Sequence, residues 1–215
     1  MRVCLASTSP ARLMLLRQAG IEPLIVAPAV DEDAVAAAAT DERGGPLAPD
    51  ELVLLLARAK AADVAHRIHI EHPRFDGLVI GGDSMFAIGG QVHGKPYTPE
   101  AARERWQQMR GATGILHSGH SVFRVGPDLE PVEATAVAEA AVTFAADVTD
   151  AELDAYIDSG EPLHVAGAFT VDSLGGPFIT RVEGDPSTVV GMSLSTLRGL
   201  ARKLGVVWTD LWSQS

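Results

Sequence analysis

Val3 to Ala6 form a short, uninterrupted apolar run, so Arg2 to Ala6 reads as a buried strand. It ends at Ser7-Thr8-Ser9-Pro10. The following ARLMLLRQAG repeats apolar residues at helical spacing (Leu13, Leu16, Ala19) and stops at Gly20, a common C-terminal cap. Glu22 to Ala27 reads as a second strand, and Pro28 to Pro49, rich in Ala, Asp and Gly, as a mobile loop or short helix. From about Asp50 to His69 the spacing predicts a long helix with Leu52, Leu55, Leu56 and Ala59 on its apolar side. GLVIGGD predicts a buried strand ending at Asp83. MFAI, Gly89-Gly90 and QVH then predict a hairpin, because paired glycines supply the positive φ angles of a two-residue turn.

Pro99 to Met109 reads as a helix with Thr98 as its N-cap and Pro99 at its first position. His117 to Val125 and Thr135 to Ala146 predict two longer strands, and Thr149-Asp150 caps a short helix through Tyr156. A glycine-rich stretch, Gly160 to Gly191, precedes an amphipathic helix from Leu194 to Leu204. With no internal repeat and no linker-like segment, residues 1–215 read as one mixed α/β domain.

Composition narrows the class. The 215 residues are 47% hydrophobic and 21% charged, which is ordinary for a globular chain, and the formal net charge is −11. Such a balance argues against a nucleic-acid backbone as partner, but not against a small anion held by a few convergent cations. The single Cys4 excludes an intrachain disulfide and a cysteine-rich zinc site, and suits a reducing cytoplasm. The N-terminus lacks a signal-peptide core and no apolar run approaches a membrane span, so a cytoplasmic protein with no membrane partner is expected.

Three stretches could carry chemistry. LASTSPAR places a strand end against a helix start, where unsatisfied N–H groups and the helix dipole attract phosphate. Ser7 and Ser9 add hydroxyl donors and Arg12 lies in the first turn, although simple capping by Ser9 is the commoner use of such a pattern. In IGGDSMFAIGGQVHGKP, Asp83 falls at a strand end, where open α/β sheets place ligands, and its carboxylate suits Mg²⁺ or the positioning of water. From Gly89 to Lys95 the chain spells a phosphate-binding loop, but Pro96 replaces the magnesium-binding hydroxyl and the glycines belong to a hairpin. Lys95 remains as a point charge for phosphate. The third stretch joins the acidic run Asp31, Glu32 and Asp33 to Lys60; alone, each reads as solvated surface. The seven histidines show no paired metal spacing.

Together these pieces resemble the Maf family. LASTSPARLMLLRQAGI is similar to its opening signature, and the similarity continues through APAVDED, LARAKA, GGDS with HGKPYTPEAA, and GEPLHVAGAF with EGDPSTVVGMSL. The resemblance implies an inosine triphosphatase-like fold, an elongated mixed β-sheet flanked by helices with two lobes around a central cleft, often dimeric. It implies hydrolysis of nucleoside triphosphates to monophosphate and pyrophosphate with Mg²⁺ or Mn²⁺. By motif position, Asp83 is the catalytic proton acceptor and a metal ligand with Glu32. Ser7, Ser9, Arg12, Lys60 and Lys95 fall at triphosphate positions, and Arg12, Ser84 and Asp172 at specificity positions.

Departures accompany the match. Ala11 replaces the first arginine of a usual pair, Ala112 and Gly114 replace an Arg and a His, and His164-Val165 replaces an Asp-Lys. Neither Ser84 nor Asp172 fits the dTTP/UTP or the 7-methyl-GTP subgroup cleanly, and an acidic Asp172 would favour hydrogen-bond donors such as a guanine edge. Two functions therefore compete: a pyrophosphatase acting on ordinary, modified or noncanonical nucleotides, and a nucleotide-binding regulator of septum formation with little catalysis.

Overall fold

The computed structural model describes residues 1–213, which group into two compact units. The first comprises 1–83, 118–138 and the chain from Gly191 onward; the second comprises 84–117 and 139–190. The strands pair in the order β2-β1-β3-β5-β6-β7, with β4 on β3, as a mixed seven-stranded sheet. The mixed α/β class predicted from the sequence is the one observed.

In the first unit, β1 (Arg2–Ala6) pairs in parallel with β2 (Leu24–Ile25) and with β3 (Gly77–Ile88). The second strand is shorter than Glu22 to Ala27, since Pro23 has no N–H to extend the ladder. Ser9 caps α1 (Pro10–Gln18). Where a mobile loop or short helix was expected, α2 (Glu32–Arg43) forms three turns: Asp31 caps it through Ala34 N–H, its alanines are strong helix formers, and Gly44 ends it at φ 77°.

The long helix α3 (Pro49–Glu71) buries Val53, Leu56, Ala57, Lys60, Ala61 and Val64. Of the four residues assigned to its apolar side only Leu56 is buried. The face turns toward the smaller residues because the helix lies close against the sheet. A Cβ at Gly81 of β3 would fall 2.5 Å from Ala57 O, and one at Gly119 2.2 Å from Val53 O. A core of Cys4, Ala6, Val64, Ile68, Phe75, Val79 and Phe123 fills this unit.

In the second unit, β3 turns through Gly89 (φ 59°) and Gly90 (φ 78°) into β4 (Gln91–His93), with Ile88 opposite Gln91. Both left-handed residues are those a tight hairpin demands. Thr98 caps α4 (Pro99–Met109), and Thr149 and Glu152 form a capping box on α5 (Asp150–Asp158). Of the two long strands, β5 (Thr113–Gly126) extends beyond its expected limits at both ends, while β6 (Leu129–Phe144) starts earlier than expected and stops two residues sooner. The glycine-rich stretch holds an unforeseen strand, β7 (Ile179–Gly184), antiparallel to β6, and a short helix, α6 (Pro186–Val190). Then α7 (Leu194–Lys203), capped by Ser193, belongs to the first unit.

The second core is aromatic. Phe86, Trp106, Phe144, Tyr156, Phe169 and Phe178 meet edge to face at centroid distances of 4.9 to 5.9 Å. Gly114 is part of this packing: a Cβ there would lie 2.2 Å from Phe86 Cζ, so the Phe86 ring occupies the space a side chain would need.

Candidate active site

Asp83 does not end its strand, as the sequence suggested; β3 continues through Ile88 into the hairpin. What ends near it is the parallel pairing, since β1 stops at Ala6 opposite Gly81. Asp83 therefore still lies just beyond the carboxyl end of β1, in the kind of position where α/β sheets bind ligands. Strand alternation puts Gly81 and Asp83 on the same face, the one covered by α3. Because Gly81 admits the helix so closely at Ala57 and Ala61, Lys60 between them reaches Asp83: Lys60 Nζ lies 2.8 Å from Asp83 Oδ1.

Glu32 completes the group. Lys60 Nζ is also 2.8 Å from Glu32 Oε2, in the first turn of α2. The approach to that turn is pinned by α3, where Asp63 accepts Ala29 N–H at 2.9 Å and Arg67 donates to Ala27 O. Lys60 and Asp83 are nearly covered, at 8% and 12% side-chain exposure, whereas Glu32 is half open at 48%. One buried ammonium thus joins a buried carboxylate to a solvent-facing one.

Arg12 forms a second cluster. Its Nε donates to Gly191 O at 2.9 Å and its guanidinium donates to Ser7 Oγ at 3.3 Å. Ser7 Oγ also accepts Ser9 N–H at 3.1 Å, and Ser9 Oγ caps α1 at Arg12 N–H. Gly82 faces this cluster; a Cβ there would sit 3.3 Å from Arg12 Nε. The Gly191 carbonyl is held from behind, because fully buried His120 on β5 accepts Ser193 N–H at Nε2, 2.8 Å away. An accepting Nε2 belongs to an imidazole with its proton on Nδ1. Sequence reasoning had singled out neither His120 nor Gly191, whose roles depend on contacts between residues far apart in the chain.

Burial pushes the Asp83 carboxyl above the ordinary aspartate range, with Lys60 and Arg12 opposing the rise and Glu32 adding to it. Burial also lowers the Arg12 guanidinium, against the pull of Asp83 and Glu32. These charges are therefore electrostatically coupled. Ser7, Ser9, Arg12, Glu32, Lys60 and Asp83 all belong to the first unit.

Ser84, Lys95 and Asp172 belong to the second unit. Ser84 follows Asp83 on β3, with its side chain toward the opposite face. Lys95 is exposed in the turn after β4, and that turn is tied at both ends: Gly94 O accepts Gly167 N–H at 3.2 Å and Tyr97 N–H donates to Leu163 O at 3.0 Å. Asp172 is exposed in the loop before β7.

No group of three or more His, Cys, Asp or Glu residues that could hold a metal occurs among the described residues. A pair of carboxylates does converge, on Lys60 Nζ. Two carboxylates with open solvent on the Glu32 side fit Mg²⁺ or Mn²⁺, hard ions that take their remaining oxygens from water and substrate phosphate.

A family model described as Maf-like protein matches residues 2–204. A curated relative from Leifsonia xyli subsp. xyli, named nucleoside triphosphate pyrophosphatase, is 64% identical over 217 residues, covering 100% of this chain and 98% of its own. Another of that name from Nocardia farcinica is 50% identical over 210 residues, covering 97% of this chain and 95% of its own. Among solved structures, the Staphylococcus aureus Ham1 protein is similar only at TM-score 0.39 and 12% identity, over 68% of this chain and 73% of that one, too low to carry a fold assignment. With the family match running from β1 to the end of α7, the chain belongs to the Maf family.

Proposed function

We propose that the chain is a nucleoside triphosphate pyrophosphatase, an acid-anhydride hydrolase that releases a nucleoside monophosphate and pyrophosphate. The observation that carries this reading is the buried Lys60 bridge between Asp83 and Glu32, with Arg12 coupled to the same charges. The names of the 64% and 50% identical relatives support it. In the proposed step a water oxygen attacks the α-phosphorus, its proton passes to Asp83, and the bond to the bridging oxygen breaks with its electron pair leaving on pyrophosphate. A carboxyl raised by burial is a stronger base than free aspartate, which favours that proton transfer. Lys60, itself nearly covered, and Arg12 neutralise charge developing on the phosphates. Glu32 and Asp83 would hold Mg²⁺ or Mn²⁺, which when bound polarises phosphoryl oxygens.

The motif positions assign Ser7, Ser9 and Lys95 to the triphosphate and Ser84 and Asp172 to the choice of base. An acidic Asp172 suits a base edge rich in hydrogen-bond donors, so modified or noncanonical purines belong in any substrate panel. A cytoplasmic homodimer that binds no nucleic acid completes the reading, and the net charge of −11 supports the last part. No helix of the described residues is long and apolar enough to cross a membrane.

The test is pyrophosphate release from a nucleotide panel with Mg²⁺, wild type against Asp83→Asn. Loss of a general base predicts a fall in kcat of roughly 100-fold or more. Orthophosphate as the first product, or an Asp83→Asn enzyme as fast as wild type, would sink the mechanism.

A further inference from the structure

Outside the Asp83 cluster, a second carboxylate is fully engaged: Glu161, in the turn Glu161–His164 that follows α5. Gly160, left-handed at φ 77°, reverses the chain immediately before it. Both carboxylate oxygens of Glu161 are taken twice by one loop. Oε1 accepts Thr170 Oγ1–H at 2.5 Å and Gly175 N–H at 3.2 Å; Oε2 accepts Ser173 Oγ–H at 2.6 Å and Leu174 N–H at 3.3 Å. Four bonds are about the full accepting capacity of a carboxylate.

The donors lie on both sides of Asp172, which itself stays exposed. The loop is closed further from below. Tyr156 Oη, on α5, accepts Thr170 N–H at 3.2 Å, and a Cβ at Gly175 would lie 2.6 Å from both Thr170 O and Tyr156 Oη. Residues 170–175 are therefore drawn into one conformation around Glu161, with the Asp172 position bracketed and its carboxylate facing solvent. The turn that carries Lys95 is tied to residues between Glu161 and this loop, through Leu163 O and Gly167 N–H.

We propose that Glu161 is a positioning residue for nucleotide selection: by fixing the Thr170–Gly175 loop it holds Asp172 at the angle from which it discriminates bases. The inference rests on the reading of Asp172 as a specificity residue of a nucleoside triphosphate pyrophosphatase. A neutral residue at 161 accepts fewer of these bonds, so the loop samples other conformations and Asp172 contacts right and wrong bases with similar effectiveness.

The experiment compares wild type, Glu161→Gln, Asp172→Asn and the double variant on a panel of purine and pyrimidine nucleoside triphosphates. It measures kcat and KM by pyrophosphate release, and equilibrium binding of the same nucleotides by calorimetry. Glu161→Gln is expected to narrow the kcat/KM ratio between the best and worst bases by about tenfold, through KM, with kcat on the best substrate changed less than about threefold. Because Glu161 acts through Asp172, the double variant should lose no more discrimination than Asp172→Asn alone. Ser173→Ala, which removes one bond of the four, should give a smaller loss in the same direction and keeps the test available if Glu161→Gln folds poorly. Equal loss on every base, or losses that multiply in the double variant, overturns the proposal. Wild-type protein that binds nucleotides without releasing pyrophosphate overturns the enzymatic reading instead, and the positioning role is then judged on the binding ratios alone. Wild-type protein indifferent to the base overturns the positioning role.

Discussion

Lys60 Nζ lies 2.8 Å from Asp83 Oδ1, an ammonium and a carboxylate paired under the close contact between α3 and β3. Desolvation alone would raise the Asp83 carboxyl further than it stands, and Lys60 is the largest influence opposing it. The pair thus sets how much of Asp83 is ionised at a given pH. It also leaves each charge dependent on the other, because an unpaired buried charge is costly.

Lys60→Met should therefore act on the pH profile before anything else. Without the ammonium the folded Asp83 carboxyl rises further, its proton is lost only at higher pH, and the acid limb of kcat/KM moves upward. At neutral pH the variant is also expected to lose stability of up to about 3 kcal/mol from the stranded carboxylate. A pH–rate series with urea denaturation checks both; an acid limb that stays in place would show that Asp83 is not the titrating base.

Gly81→Ala tests how the pair is assembled. Its Cβ would fall 2.5 Å from Ala57 O and 2.7 Å from Ala61 Cβ, so α3 must move away and carry Lys60 with it. The expected cost is about 2–3 kcal/mol, the overpacking range, with loss of activity. Gly45→Ala is the control, since nothing lies within 4 Å of a Cβ there and the substitution should stay within about 0.5 kcal/mol.

The contact that makes this site was half visible in the chain. Asp83, Glu32 and Lys60 could be picked out by motif, but periodicity put Leu52, Leu55 and Ala59 on the buried side of α3 and left Lys60 looking like a surface residue. Leucines mark an apolar stripe only when the partner surface has room for them. Here the missing side chains at Gly81 and Gly119 let the α3 backbone come so close to the sheet that Val53, Ala57 and Ala61 pack there instead. The hairpin at Gly89-Gly90 and the caps at Ser9, Thr98 and Thr149 were legible because a few adjacent residues determine them. The His120–Ser193 and Glu161–Ser173 contacts join residues 73 and 12 apart, and no local pattern announces them.

Arg12→Lys keeps the charge and removes the geometry. The guanidinium donates to Gly191 O and Ser7 Oγ from different nitrogens, a fork that a single ammonium does not reproduce. Losing one charge-assisted bond corresponds to about 1.5–3 kcal/mol, so kcat/KM should fall roughly 10- to 100-fold. Steady-state kinetics on the preferred nucleotide decide this, and an unchanged kcat/KM would mean that only the charge of Arg12 matters.

Glu161 also makes a prediction about acid stability that is independent of activity. Burial pushes its carboxyl up, but the bonds from Ser173, Thr170, Leu174 and Gly175 outweigh that and hold it below its ordinary value of 4.5. A carboxyl depressed in the folded state binds fewer protons there than in the unfolded chain. Its contribution to stability is therefore complete above pH 4.5 and is lost as the pH falls through the folded value. At pH 7 Glu161→Gln should be less stable than wild type by about 1 kcal/mol, for the hydrogen bonds it can no longer accept. Below pH 4.5 that difference should shrink toward zero, because a protonated Glu161 carboxyl and the amide of the Glu161→Gln variant offer the loop similar acceptors. Denaturant melts of both proteins across this range provide the check: a gap that stays constant with pH would show that the Glu161 charge has no part in holding the Thr170–Gly175 loop.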